Sequence, residues 1–591
     1  MATSMTLDDG EKVLLSTVLQ FQNKLANVFL TATQLVVETS IKPRSHDSTL
    51  DARPAPSSGP TTTVIDLKEV FAVRPERRVS FKSSRFRFSS GKKPHLLAEE
   101  QIEGTNAFSL YQIKRVSKHR WRHKTCLFVC RDYGTCHIWM NKIEEQLKNP
   151  EWQRPKRLLV FVNPYGGKKK ARKIFNDKVR PLFELAGIYS EVIITKRQYH
   201  ARDVVYDYDL KTIDGLVCVG GDGTFSELLN GLLDRTNSEA NIEQTFRHKP
   251  LSPSIRIGII PAGSTDAVVC SMVGINDPIT SALQIVLGDS LGLDVTALYK
   301  KEEFLKYTLT MSSYGYYGDL LKDSESLRWM GPQRYTYSGA KKFFANRAYE
   351  GEVSFLLASE EDSHPRDQSI CYYGCEKCRQ AGLKSQQAIS LRDVPPELDS
   401  GAAGDTNSPS SRVVNTMRDG WHRVKGRFCA INLATISCRC DLAMTGMSPA
   451  AHLGDGCMDL ILVQECSRLQ YLHHLLRITD NKADQFDFEY VQVYRVKEFS
   501  FQPLNEPEDA DEGEGEEREG CGSRWRKHSR MKSSNDSNSV WNCDGELLEF
   551  PTLYFQVHCQ LIRMFGRGIE EQSKEVTISC PMCCGGYDSD K

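Results

Sequence analysis

The chain has 591 residues, with 76 Lys+Arg balanced by 76 Asp+Glu, 40% apolar and 9% aromatic residues, and 19 cysteines. That length predicts about two to four domains, each able to bury a core, and with a mean hydropathy of -0.43 no stretch reads as a helix able to cross a bilayer. The even charge excludes bulk nucleic-acid binding, which needs a strongly basic domain or stripe, and the start MATSMTLDDGEKV lacks the basic-then-apolar order of a secretory signal, so the expected setting is cytoplasmic, with reduced thiols.

Residues 1–150 read as a β-rich domain closed by one helix. Candidate strands run Val13 to Phe21, Val28 to Val37, Val64 to Val73 and Ala107 to Arg115, separated by polar and Pro/Gly/Ser stretches. Cys136 to Leu147 then places Trp139, Ile143 and Leu147 on one face of a helix. A barrel-like domain plugged by a terminal helix that carries a Trp is similar to a pleckstrin-homology domain.

From Arg157 the rhythm becomes strand, loop, helix, the pattern of βα units on a parallel sheet. Leu158 to Val162, Glu191 to Thr195, Gly215 to Val219 and Ile255 to Ile260 are the strands, and Lys168 to Leu185 is an amphipathic helix. This α/β lobe is expected over residues 153–292. A β-rich, antiparallel lobe follows over 293–571, with strands at Phe304 to Met311, Glu352 to Phe355, Phe428 to Asn432, Met458 to Val463, Phe486 to Phe501 and Leu553 to His558. Two charged or glycine-rich insertions, at about 385–419 and 505–539, are expected to be disordered, and residues 572–591 read as a tail.

Three glycine-bearing loops each follow a predicted strand: NPYGGK (Asn163 to Lys168), GGDGT (Gly220 to Thr224) and PAGST (Pro261 to Thr265). Ligands collect at that edge of an open α/β sheet, and glycine lets backbone N–H groups approach phosphate without a Cβ in the way. One such loop alone reads as an ordinary tight turn; three in register read as a phosphate site. No G-x-x-x-x-G-K-[ST] follows a strand, and the signatures of protein kinases are missing. Asp222, between glycines, is expected to stand free at the sheet edge as a general base, and it can also cap the following helix.

These loops resemble those of the lipid-kinase superfamily that contains diacylglycerol, sphingosine and ceramide kinases. Ser313 to Gly339, SPAAHLGDGCMDLILV (Ser448 to Val463), Asp484 to Lys497 and WNCDGE (Trp541 to Glu546) narrow the resemblance to the ceramide kinases, as does the N-terminal domain. The resemblance implies that Asp222 accepts the proton of the lipid hydroxyl. It implies ATP contacts at Asn163, Pro164, Tyr165, Thr195, Glu227, Gly263, Ser264, Thr265, Arg328, Arg334, Asp544, Gly545 and Glu546, and lipid contacts at Gly220, Gly221, Asp222, Gly223 and Asp319. Arg328 and Arg334 suit a γ-phosphate, or are surface ion-pair formers. Mg2+ would bridge the phosphates near Asp544 and Glu546.

In sphingosine kinases a second acid, two residues after the one matching Asp319, faces the lipid amine. Here that position is Leu321, which suits the neutral amide of ceramide or simply fills core. The activity implied is transfer of the ATP γ-phosphate to the primary hydroxyl of ceramide. Sphingosine or diacylglycerol kinase, or a catalytically inactive lipid-binding adaptor, are the alternatives.

Three accessory features remain. Cys371, Cys375 and Cys378, with Cys429, Cys438 and Cys440 in the same lobe, have the spacing of a thiolate metal site, against an expectation of buried reduced thiols. Lys114, Arg115, Lys118, Arg120, Trp121, Arg122 and Lys124 form a basic hairpin suited to anionic phospholipids or phosphoinositides, or a solvated strand edge. Leu469 to Ile478 is amphipathic and matches where ceramide kinases bind Ca2+-loaded calmodulin, or is core. Peripheral association with the plasma membrane or Golgi is expected.

Overall fold

The computed structural model describes residues 10–39, 61–76, 106–331, 333–358, 364–387, 415–416, 420–480, 483–504 and 538–571. Most of both predicted insertions, and the tail from 572, lie outside the described residues. Among the described residues no helix is long and apolar enough to cross a membrane.

The N-terminal strands are β1 (Leu15–Phe21), β2 (Lys24–Leu30), β3 (Gln34–Thr39), β4 (Thr61–Asp66), β5 (Val70–Glu76), β6 (Ala107–Ser117) and β7 (Arg120–Val129). They form an antiparallel sheet in the order β4-β3-β2-β1-β7-β6-β5. Helix α1 (Tyr133–Leu147) starts at Asp132, whose carboxylate accepts the Thr135 N–H, and it buries Cys136, Trp139 and Ile143 in the core of this domain. Val28 and Val37, read from sequence as one strand, face each other across the β2–β3 hairpin. The turn is built by the Thr31 hydroxyl, which accepts the Gln34 N–H at 2.9 Å, and neither glycine nor proline marks it. Val64 to Val73 likewise breaks at the 3-10 turn Leu67–Glu69, capped by Asp66.

The α/β unit contains β8 (Arg157–Val162), α2 (Ala171–Ile174), a π-helical turn (Phe175–Val179), α3 (Arg180–Leu185), β9 (Tyr189–Ile194), α4 (His200–Asp207), β10 (Gly215–Gly220), α5 (Asp222–Glu239), β11 (Arg256–Pro261), α6 (Ala267–Val273) and α7 (Pro278–Leu287). The helix predicted from Lys168 is therefore shorter and interrupted, because Pro181 has no N–H to continue the ladder and the π turn ends just before it. Strands β9, β8, β10 and β11 pair in parallel. Chain order reverses between β8 and β10, so their carboxyl ends flank a crevice.

The second lobe holds β12 (Ser290–Lys300), β13 (Glu303–Thr308), β14 (Met311–Gly315), α8 (Tyr316–Glu325), α9 (Gln333–Ala345), β15 (Tyr349–Leu357), α10 (Glu376–Gln387), β16 (Asn415–Thr416), β17 (Trp421–Ala434), β18 (Met458–Gln464), α11 (Arg468–Thr479), β19 (Val491–Pro503), β20 (Trp541–Cys543), β21 (Glu546–Leu548) and β22 (Leu553–Phe565). Its sheet is antiparallel, and helices α8 to α10 were not legible in the strand-rich composition. The two lobes share one sheet. Strand β22 pairs antiparallel with β12 and β19, and it meets β11 in parallel at Met564 and Ile257.

The β6–β7 hairpin does not present Trp121 to solvent, and its Arg115 and Arg122 are held in ion pairs. Trp121 is buried; its backbone N–H donates to the Thr280 hydroxyl at 3.0 Å and its indole N–H to Glu570 at 3.2 Å. Arg122 pairs with Asp277 at 2.7 Å, and Arg115 with Glu69 and Glu570. Phe71, Tyr111, Ile113 and Trp121 join one core with Phe565 and the α7 side chains Ala282 and Val286. The expected membrane face around Trp121 is thus an interdomain contact. Lys114, Lys118, Arg120 and Lys124 remain exposed.

Candidate functional site

The three glycine loops meet because only glycine lets their backbones touch. A Cβ on Gly167 would lie 2.6 Å from the Ala262 carbonyl oxygen and 2.7 Å from Gly263, and one on Gly263 would lie 2.5 Å from the Gly221 Cα. Gly167 also has φ +52, a left-handed conformation that suits glycine. Asn163 clamps two loops together: its amide donates to the Thr224 hydroxyl at 2.8 Å, while its carbonyl accepts the Tyr165 and Gly166 N–H groups. Pro164 is half-buried, and Tyr165, Gly223, Ser264 and Thr265 are exposed at the mouth. Thr195 is buried beside β8, its N–H bonded to the Val162 carbonyl.

Asp222 is not free. It opens α5 but caps a different helix from the one expected, for its two carboxylate oxygens accept the Ala267 and Val268 N–H groups of α6, each at 3.0 Å. Burial pushes its pKa up; those two N–H groups oppose the shift, and the charge of Asp544 adds to it. Asp266 lies beside it, with its carboxylate on the Gly263 N–H at 2.9 Å and the Asn276 amide at 3.2 Å. Burial and then the Asp222 charge push Asp266 up to about 7. Glu227 accepts the Ala201 N–H at 3.2 Å, and burial raises it too, with Glu546 adding a like charge.

The fold brings the distant WNCDGE segment to the glycine loops, close enough for the charges of Asp544 and Glu546 to act on Asp222 and Glu227. Asp544 has φ 53 and precedes Gly545 at φ 82 in the β20–β21 turn. Its carboxylate accepts the Leu309 N–H at 2.8 Å, the Thr310 N–H at 2.9 Å and the Thr310 hydroxyl. Glu546 pairs at 2.5 Å with Lys306, a buried cation that sequence reading missed. Burial alone would lower the Lys306 pKa, but Glu546 and Asp544 outweigh it and the net shift is upward.

Asp319 is buried on α8, where it accepts hydrogen bonds from the Tyr349 hydroxyl and, at 2.7 Å, from Ser539. It lines a small cavity with Tyr316, Lys342, Asn346, Arg347 and Tyr471. Ser539, which bonds Asp319, and Asp544 flank β20 and can be at most about 18 Å apart along extended chain. Leu321 is buried as well, but two residues along a helix turn roughly 200°, so it does not share the face of Asp319. Arg328 and Arg334 both pair with Glu325, an arrangement that matches their surface ion-pair reading.

Cys371, Cys375 and Cys378 do come together, and their partner is His452 of the SPAAHLGDG segment. Cys429, Cys438 and Cys440 are not part of that group; Cys429 contacts Cys466 instead. Helix α11 packs Tyr471, His474 and Ile478 inward and leaves Leu469, Leu472 and Leu476 exposed.

Family models match along the chain: the ceramide kinase PH domain at residues 15–143, the diacylglycerol kinase catalytic domain at 157–298 and the ceramide kinase C-terminal domain at 383–583. The chain is 44% identical over 485 residues to the ceramide kinase of Homo sapiens, covering 80% of this chain and 85% of that protein. It is 42% identical over 474 residues to that of Mus musculus, covering 80% and 86%. Against the ceramide kinase of Arabidopsis thaliana it is 32% identical over 533 residues, covering 76% and 79%. With its domains matched in this order and relatives aligned across most of both chains, the protein belongs to the ceramide kinase family.

Proposed function

We propose that the chain transfers the γ-phosphate of ATP to the primary hydroxyl of ceramide, giving ceramide 1-phosphate. The observation that carries this reading is the position of Asp222: a carboxylate with a raised pKa where three glycine loops converge, coupled to Asp544 from the far end of the chain. A base works best when its pKa lies near the working pH, and burial moves Asp222 in that direction. The N–H groups of Ala267 and Val268 hold the carboxylate while leaving acceptor capacity for a hydroxyl proton. The glycine-only contacts leave backbone against the phosphates of the nucleotide, with Ser264 and Thr265 at the mouth. Asp319, in its cavity with Lys342 and Arg347, is the site for the polar head of the lipid. Arg328 and Arg334 reach the γ-phosphate in this reading only if ATP draws them from Glu325.

The charge of Asp544 raises the pKa of Asp222 and that of Glu546 raises Glu227, so these carboxylates lie close together, and such a group fits a divalent cation. Mg2+ would be held near Asp544 and Glu546, and it supplies neutralising charge for the phosphates. The oxygens already bonded to Leu309, Thr310 and Lys306 favour contact through water over direct ligation.

Ceramide lies in a bilayer, so the enzyme works as a peripheral protein on a cytoplasmic membrane face, plasma membrane or Golgi. The exposed Lys114, Lys118, Arg120 and Lys124 are the contact for anionic lipid. The exposed leucines of α11 support a regulatory contact with Ca2+-loaded calmodulin, which would have to release the inward face of that helix. The deciding experiment incubates the purified full-length chain with labelled ATP and Mg2+ and, in separate mixed micelles, ceramide, sphingosine or diacylglycerol. Ceramide should be the preferred acceptor. Equal use of all three lipids would refute the substrate assignment, and no transfer at all would leave a lipid-binding adaptor.

A further inference from the structure

The group formed by Cys371, Cys375, Cys378 and His452 takes no part in the chemistry above, and its side chains converge from two separate segments. The three thiol sulfurs and one imidazole nitrogen all lie within 4.8 Å of one another. Cys371 Sγ and Cys378 Sγ are 3.6 Å apart, and Cys375 Sγ lies 3.2 Å from His452 Nδ1. Tetrahedral zinc with bonds of roughly 2.3 Å to sulfur puts its thiolates about 3.7 Å apart, so the four atoms are already near the corners that a zinc ion needs. Cys371 and His452 are buried, while Cys375 and Cys378 are half-buried at the start of α10.

The surroundings orient these atoms. His452 Nε2 lies 3.1 Å from the Ser369 hydroxyl; if that nitrogen carries the proton, the Nδ1 lone pair is turned toward the sulfurs, as ligating histidines require. The Leu453 N–H is in hydrogen-bond contact with Cys371 Sγ, and the Cys378 N–H with Cys375 Sγ. The same corner is tied to β22, since the Gln560 amide donates to the Cys378 carbonyl at 2.6 Å and to the Gly454 carbonyl at 2.9 Å.

We propose that Cys371, Cys375, Cys378 and His452 form a structural zinc site of the Cys3His type, which staples the start of α10 to the 448–457 loop and so to β22. Three soft thiolates and an imidazole in a tetrahedral set select zinc over the hard cations, and with all four positions filled by protein the ion is structural rather than catalytic. The site explains why the chain places a histidine from SPAAHLGDG against a cysteine cluster more than 70 residues earlier.

The test uses the full-length chain, dialysed against a chelator and assayed for metal by mass spectrometry. On the order of one zinc per chain is expected, falling to background in His452→Ala and in Cys378→Ser, and kept in His452→Cys. Exchange of zinc for Co2+ in the unaltered protein should produce the thiolate-to-metal absorption of a tetrahedral site, growing with the fourth thiolate in His452→Cys. This spectrum decides the matter even if the loss variants do not fold. A zinc-free folded protein, a Cys371 to Cys378 disulfide in non-reducing peptide maps, or zinc retained in full by His452→Ala would each overturn the proposal.

Discussion

At the residue scale, Asp222 holds the start of α6 and, in the proposed reaction, takes the hydroxyl proton, and the two jobs can be separated. Asp222→Asn keeps one acceptor for the α6 N–H groups but cannot take a proton, so kcat should fall by about 10²-fold or more while ATP binding, followed by calorimetry, stays close to wild type. Activity within tenfold of wild type would remove Asp222 as base. Because burial and Asp544 raise its pKa, the acid limb of the rate profile should lie above the ordinary carboxylate range, with activity lost as pH falls through it. Asp266 offers a different reading. Its folded pKa of about 7 exceeds the unfolded value near 3.8, so the folded state holds the proton more tightly and stability declines as pH rises from about 4 to 7. Asp266→Asn should flatten that decline, measured as urea midpoints at pH 5 and pH 8. An unchanged slope would mean that Asp266 ionises in the fold as freely as in the unfolded chain.

Elements explain why some substitutions act through packing. Asp319 and Leu321 lie on the same short helix, yet about 200° of helical rotation separates them, so an acid at 321 would be buried away from the face of Asp319. Leu321→Asp should therefore lower the thermal midpoint and depress ceramide and sphingosine turnover in the same proportion, because both substrates see the same folded fraction. A tenfold rise in the ratio of sphingosine to ceramide turnover would instead put Leu321 against the lipid. The turns are less tolerant. Gly263→Ala places a methyl 2.5 Å from the Gly221 Cα, and since neither partner is a flexible side chain the two loops must separate. Loss of measurable ATP binding is expected, read against retained secondary structure by circular dichroism.

Across the whole molecule, the N-terminal domain is locked to the α/β unit by the β6–β7 hairpin, so two kinds of basic residue in that hairpin should behave differently. Arg122→Glu breaks the pair with Asp277 and should loosen the domain contact, seen as faster proteolysis between the domains, with partial rescue in the swapped pair Arg122→Glu, Asp277→Arg. Changing the exposed Lys114, Lys118, Arg120 and Lys124 to Glu should leave the proteolysis pattern alone and weaken binding to anionic vesicles. If sedimentation with such vesicles is unaffected, the membrane contact lies on another surface.

Local signals in the chain carried the parallel strands, the glycine loops and the helix around Trp139, because buried runs, strand-end glycines and helical spacing are properties of neighbouring residues. The glycine setting of Asp222 suggested a base from the residues alone, whereas the expected roles of Asp319 and Asp544 came from the family resemblance. What depended on distant segments was not legible. The Thr31 turn has no glycine or proline to announce it, the return of β22 joins the lobes across some 300 residues, and Lys306, Asp266 and His452 acquire meaning only from partners brought to them. The membrane reading of Trp121 failed for the same reason: a basic, aromatic hairpin has one composition whether it faces lipid or the acids of another domain, and tertiary packing against Thr280, Asp277 and Glu570 chose between them.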